Sequence, residues 1–146
     1  MELVVGTDST WSLRVWICCQ LANVSTDLNI IDLTKSGFKS KILESSPTGL
    51  VPALKVDSLV IHDSLGITEY INELSGGQLY PSKIEERALA RSLCAEMHSG
   101  FMNLRCQCPF TLETVPALTK FHEGIKQELV RVTAIFEQAR GPYMFE

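Results

Sequence analysis

Up to about residue 75 this chain changes its hydrophobic period every few residues, and beyond residue 82 it keeps a single period. That switch limits the fold more than any other feature, because period two specifies a strand and period 3.6 a helix, and their order restricts the topology. Leu3-Val4-Val5 reads as a strand, Leu13 to Leu21 as a helix, Leu28 to Leu33 as a second strand and Phe38 to Leu43 as a short helix. Ala53 to Val56 and Leu59 to His62 are two more short strands on either side of Asp57-Ser58, a turn-forming pair. Leu65, Ile67, Tyr70, Ile71 and Leu74 then fall at helical spacing, predicting a helix from Ser64 to Leu74. The order is βαβαββα.

Ser75-Gly76-Gly77-Gln78 and Tyr80-Pro81 mark a boundary, giving units at 1–76 and 83–146 with a linker at 77–82. In the second unit Ile84, Ala88, Leu89, Leu93, Met97, Phe101 and Leu104 recur at three-to-four-residue spacing, predicting one amphipathic helix that runs to Arg105. Cys108-Pro109 ends it. A second helix, 116–140, carries Leu118, Phe121, Ile125, Leu129, Val132 and Phe136, and the pair should form an antiparallel hairpin.

The 146 residues are 45% apolar and 21% charged, enough to bury a core and unlike a disordered chain. A net charge of −4 without a run of Lys or Arg argues against nucleic acid or an anionic membrane as partner. The start has no basic segment ahead of its short apolar run, so no signal peptide is read and the expected location is cytoplasmic. Five cysteines, Cys18, Cys19, Cys94, Cys106 and Cys108, do not form a secreted framework and are expected to be reduced. Cys106-Gln107-Cys108 lacks the further ligands zinc requires, so no metal is expected.

Two short stretches carry chemistry. In Ser46-Pro47-Thr48-Gly49-Leu50-Val51-Pro52-Ala53-Leu54 a proline sits at the entrance to a strand, where it cannot donate to a ladder and where a cis bond can turn the preceding amide and carbonyl outward. An extended peptide could pair with that edge. Asp63-Ser64 lies at a helix N-terminus, whose free N–H groups attract an anion and to which the Ser64 hydroxyl adds a donor. Together they describe a site for a small acidic peptide, of which glutathione is one.

These motifs, in this order, resemble the glutathione transferase family across essentially the whole chain. Ser9-Thr10-Trp11-Ser12-Leu13-Arg14-Val15-Trp16 resembles the signature of its bacterial-type serine branch, with a related segment in the zeta class. Arg87-Ala88-Leu89-Ala90-Arg91 and the stretch Ala95 to Arg105 resemble the first long helix of the family's all-α domain. The sequence departs from the pattern at Asp63, where glutamate is commoner, at Leu50, where a basic residue is frequent, and at Ser46, where asparagine usually precedes the proline. Gly141 to Glu146 resembles the segment leading into the family's buried core helix, so the expected architecture is a thioredoxin-like domain followed by a partial, truncated all-α domain.

The resemblance implies a glutathione transferase that conjugates glutathione to a small electrophile, usually as a homodimer. It implies Ser9 as the group activating the sulfur, with Thr10 and Ser12 as alternates, Ser12 being better explained as the N-cap of the first helix. Val51, Pro52, Asp63 and Ser64 would bind glutathione, Lys39 or Lys41 could reach its glycyl carboxylate, and Trp11, Met97, Phe101 and Arg105 would line the electrophile pocket. Arg14 is expected as a structural ion-pair partner. A thiol pKa near 8.5 must fall by about two units to give a thiolate at neutral pH, roughly 2.7 kcal/mol of preferential stabilisation. Two other readings stand beside this one. The first is a non-catalytic or degenerate binding or assembly module. The second is thiol-disulfide exchange, disfavoured because Ser9, Thr10 and Trp11 stand where a cysteine is needed and Cys18 and Cys19 fall inside a helix.

Overall fold

A computed structural model describes residues 1–117 and 120–145. The chain divides into two compact units, Met1–Tyr80 and Pro81–Glu146.

The first unit contains β1 (Glu2–Gly6), α1 (Thr10–Leu21), β2 (Asp27–Ile31), α2 (Phe38–Leu43), β3 (Ala53–Val56), β4 (Leu59–His62) and α3 (Ser64–Leu74). The four strands form one sheet in the order β2-β1-β3-β4. β1 runs parallel to β2 and antiparallel to β3, and β3 is antiparallel to β4. Alternation along β1 sorts the core onto two faces. Leu3 and Val5 join Val15 and Cys19 of α1, Leu54, and Ile67 and Ile71 of α3 on one side. Val4 joins Ile31, Ala53 and Ile42 of α2 on the other. This is the thioredoxin-like arrangement.

α1 begins three residues before the apolar spacing suggested, because Ser9 rather than Ser12 is its N-cap and accepts from the Ser12 amide at 3.2 Å. The correction follows from Ser12 having other work: it is buried, and its hydroxyl accepts from Gly6 N at 3.1 Å. β2 stops at Ile31 instead of Leu33, since the Asp32 carboxylate takes the Thr34 amide at 3.0 Å and turns the chain.

The second unit contains α4 (Ile84–Ser99), α5 (Met102–Gln107) and α6 (Glu123–Phe136). The single helix expected from Ile84 to Arg105 is broken at Gly100-Phe101. Gly100 leaves the helix with extended backbone, and Phe101 adopts φ 63°, the left-handed region. The break is held from both sides. Arg105 donates to the carbonyls of Gly100, at 3.2 Å, and Met97, covering acceptors that the end of α4 leaves open. Glu128 of α6 accepts from the Asn103 amide at 3.1 Å, the Asn103 side chain at 2.8 Å and the Leu104 amide at 2.6 Å, capping α5 from outside its own sequence. Glu96 binds Arg131 through both carboxylate oxygens, at 2.5 and 2.7 Å. Pairing 103 with 128 and 96 with 131 makes the packing antiparallel. The expected helix 116–140 is realised only over Glu123–Phe136, capped by His122, whose Nδ1 accepts from Gly124 N; its predicted position Leu118 lies outside the described residues.

Candidate functional site

Three chain segments meet at one end of the sheet. β1 ends at Gly6, and its antiparallel register with β3, Val4 opposite Ala53, brings Gly6 toward Val51 just before that strand. The approach is close: a Cβ at residue 6 would lie 2.7 Å from Leu33 Cδ1 and 2.9 Å from Val51 Cγ2, so a side chain there would force Leu33 or Val51 to shift. The β3–β4 register pairs Ala53 with His62, so the Val51-Pro52 entry to β3 and the Asp63-Ser64 entry to α3 share that end.

From Gly6 the chain turns into α1 through two linked serines. Ser12 accepts from the Gly6 amide, and Ser9 accepts from the Ser12 amide. Ser9 is half-buried, and accepting a bond leaves its hydroxyl hydrogen available to donate. Ser12 is buried inside the turn, and Thr10 is the half-buried first residue of α1. Of the three, Ser9 combines accessibility with an N-cap position.

At the second segment the Val51-Pro52 bond is cis. Pro52 is buried and Val51 half-buried, and the Val51 amide and carbonyl have no hydrogen-bond partner among the described residues. Polar main-chain groups at a half-buried position ordinarily find partners. At the third segment Asp63 is the N-cap of α3, accepting from Leu65 N at 2.8 Å, with φ 70° and ψ 132°. Such backbone costs a non-glycine residue on the order of 1–3 kcal/mol and concentrates at ligand sites. Ser64 beside it is buried, and its Oγ accepts from Arg14 Nη1 at 3.2 Å. Arg14 in turn lies over the Trp11 ring, 4.5 Å from the centroid.

Residues 8–74 match the N-terminal domain of the glutathione S-transferase family. A probable maleylacetoacetate isomerase of Caenorhabditis elegans is 37% identical over 145 residues, covering 92% of this chain and 65% of that protein. The chain carries a glutathione S-transferase N-terminal domain. The maleylacetoacetate isomerase of Rattus norvegicus is 33% identical over 101 residues, 66% of this chain and 47% of that protein. The chain thus spans less than two thirds of the length of these curated relatives. A glutathione transferase homolog from Burkholderia, solved with bound glutathione, superposes with a TM-score of 0.71 at 21% identity, over 97% of this chain and 67% of that one.

Within this glutathione S-transferase domain the other expected site residues are more scattered. Lys39 is exposed on α2 and makes no ion pair among the described residues, and Lys41 instead lines a separate cavity of about 380 Å³ with Asn29, Ile31, Asp32 and Phe38. Trp11 belongs to the first unit; Met97, Phe101 and Arg105 belong to the second, where Phe101 is buried and Arg105 closes the end of α4. No cluster of three or more metal-ligating side chains exists among the described residues. Burial pushes the Cys18 thiol up, outweighing the Thr68 hydroxyl and the Arg14 charge, and burial also raises Cys19. Neither is the low-pKa nucleophile that thiol-disulfide exchange needs.

Gly6 and the Arg14–Ser64 bond escaped the sequence reading. Gly6 closes a strand and had a signal, a glycine directly before the serine-rich turn. Arg14 and Ser64 are 50 positions apart, and no local pattern links them.

Proposed function

We propose that this chain binds reduced glutathione at the shared end of β1, β3 and α3 and activates its thiol for addition to an electrophilic carbon. The observation that carries the reading is the unpaired main chain of Val51 beside the N-terminus of α3. The cysteinyl part of the tripeptide would pair with the Val51 amide and carbonyl, in the manner of an added strand. Its γ-glutamyl carboxylate would sit on the free N–H groups of α3 with the Ser64 hydroxyl, and the γ-glutamyl ammonium would face Asp63. The sulfur would then lie toward Ser9, whose free hydroxyl hydrogen and helix-start position favour the thiolate.

Two fates of the addition are supported. In conjugation the thiolate carbon–sulfur bond is kept and a leaving group departs. In isomerisation the thiolate adds to an activated double bond, the new single bond rotates and the thiolate is expelled, so glutathione is regenerated. Similarity to two maleylacetoacetate isomerases favours the second. The same family resemblance supports assembly as a homodimer in the cytoplasm.

Calorimetry with glutathione tests the binding step, run on the parent, Ser9→Ala and Ser64→Ala. The parent should bind. Ser64→Ala should weaken binding, whereas Ser9→Ala should leave affinity nearly intact and raise the pKa of the bound thiol. Incubation with maleylacetoacetate and with 1-chloro-2,4-dinitrobenzene then separates isomerised product from glutathione adduct. A folded chain that binds no glutathione would mark a non-catalytic module instead.

A further inference from the structure

We propose that Arg14 is a positioning residue for glutathione: it orients the Ser64 hydroxyl so that its single hydrogen points at the incoming carboxylate. The inference rests on the glutathione-binding reading above and extends it to a residue one helix away.

The argument starts from hydrogen counts. A serine hydroxyl has one hydrogen and two lone pairs, whereas a guanidinium has only donors and stays charged at any pH the protein meets. The Arg14 Nη1 contact at 3.2 Å therefore occupies a lone pair of Ser64 Oγ and leaves its hydrogen to point elsewhere. Ser64 is only 2% exposed, and among the described residues nothing accepts that hydrogen. A buried hydroxyl whose hydrogen finds no protein acceptor is an outstanding donor. Ser64 is the first residue of α3, where the free N–H groups of the helix face the same side. Arg14 is itself fixed by stacking on Trp11, one turn earlier in α1. The helix that begins at Ser9 thus sets the donor geometry of the helix that begins at Ser64. With Arg14 removed, the hydroxyl is free to rotate and loses the polarisation of a charged donor.

The test is a double-mutant cycle on glutathione affinity, measured by calorimetry, with Arg14→Met, Ser64→Ala, the double variant and Arg14→Lys. Each single change should weaken binding by about tenfold, about 1.4 kcal/mol. The double variant should be little worse than either single, because one interaction is lost only once. Arg14→Lys should recover part of the loss. The pKa of the bound glutathione thiol should stay at its parental value in Arg14→Met, since the effect acts at the γ-glutamyl end. Additive losses in the cycle, parental affinity in Arg14→Met, or a raised thiol pKa in that variant would each overturn the proposal. Should Arg14→Met fail to melt cooperatively, the cycle is closed with Arg14→Gln in its place and the same criteria apply. A folded parent that binds no glutathione overturns the function itself, and is recognised before any variant is compared.

Discussion

The two units of this chain are built on different principles. Met1–Tyr80 closes around side chains that leave almost no surface to solvent, Leu3, Val15, Cys19, Leu54, Ile67 and Ile71 on one side of the sheet and Val4, Ile42 and Ala53 on the other. In Pro81–Glu146 only Ala90, Phe101, Ile125 and Ile135 are buried among the described apolar residues, and charged side chains fix the helix ends. Apolar burial is non-directional and survives salt and acid, whereas exposed ion pairs contribute little and are screened. The first unit should therefore set the stability of the chain, and the second should carry its sensitivity to conditions.

Ile71→Ala should break the first unit outright. A fully buried isoleucine at the junction of α3 and the sheet costs about 2–5 kcal/mol when truncated, and urea unfolding followed by circular dichroism should show an early loss of the β-containing transition. Gly6→Ala should cost about 1–3 kcal/mol through overpacking and weaken glutathione binding as well, because its Cβ meets Val51. A variant that lost stability but kept parental affinity would show that the Gly6–Val51 approach does not shape the site.

Glu128→Gln should act on the second unit alone, speeding amide exchange at Asn103 and Leu104 and leaving β1 unchanged. Acid should do the same. Although burial raises the Glu128 carboxyl, the bonds from Leu104 and Asn103 and the Arg105 charge outweigh it and hold it below its ordinary value, and the Arg131 bond lowers Glu96. A carboxylate with a depressed folded pKa stabilises above its unfolded value, about 4.3 for glutamate, and loses that contribution as pH falls further through the folded value. Glu2 and Asp32 are depressed too, by Asn29 and Lys55 and by Thr34 respectively, but they lie beside a closed core. Exchange at pH 3.5 to 5 should therefore open α5 and α6 before the sheet; simultaneous opening would erase the contrast. The smallest effect is expected from Arg131→Met, or from high salt on the parent, as a modest rise in α6 exchange.

The same contrast explains what could be read beforehand. Strands and helices of the first unit were legible because their apolar residues alternate or recur with the period of the element they build, as Leu3, Val4 and Val5 do. Asp63-Ser64 was legible as a helix start for its capping chemistry. The second unit misled because Phe101 and Leu104 continue the helical spacing of Met97 while the backbone between them breaks at Gly100. That break is sustained by Glu128, whose partners are set by tertiary packing, and by Arg105, whose reach back to Met97 and Gly100 leaves no mark in the apolar spacing. Arg14 and Ser64 were obscure for the same reason as Glu128.

Ser12 shows how a scan of this site could be misread. It is sealed beneath the turn, with its oxygen on Gly6 N and its own amide on Ser9. Replacing it with alanine would keep the main-chain amide that Ser9 caps but orphan the buried Gly6 amide and loosen the turn between them, so on the proposed function turnover would fall although no reacting group had been removed. Ranked by lost activity alone, a hidden strut would pass for the proposed reagent beside it, and the acidity of a bound glutathione thiol, measured variant by variant, is what would tell the two serines apart.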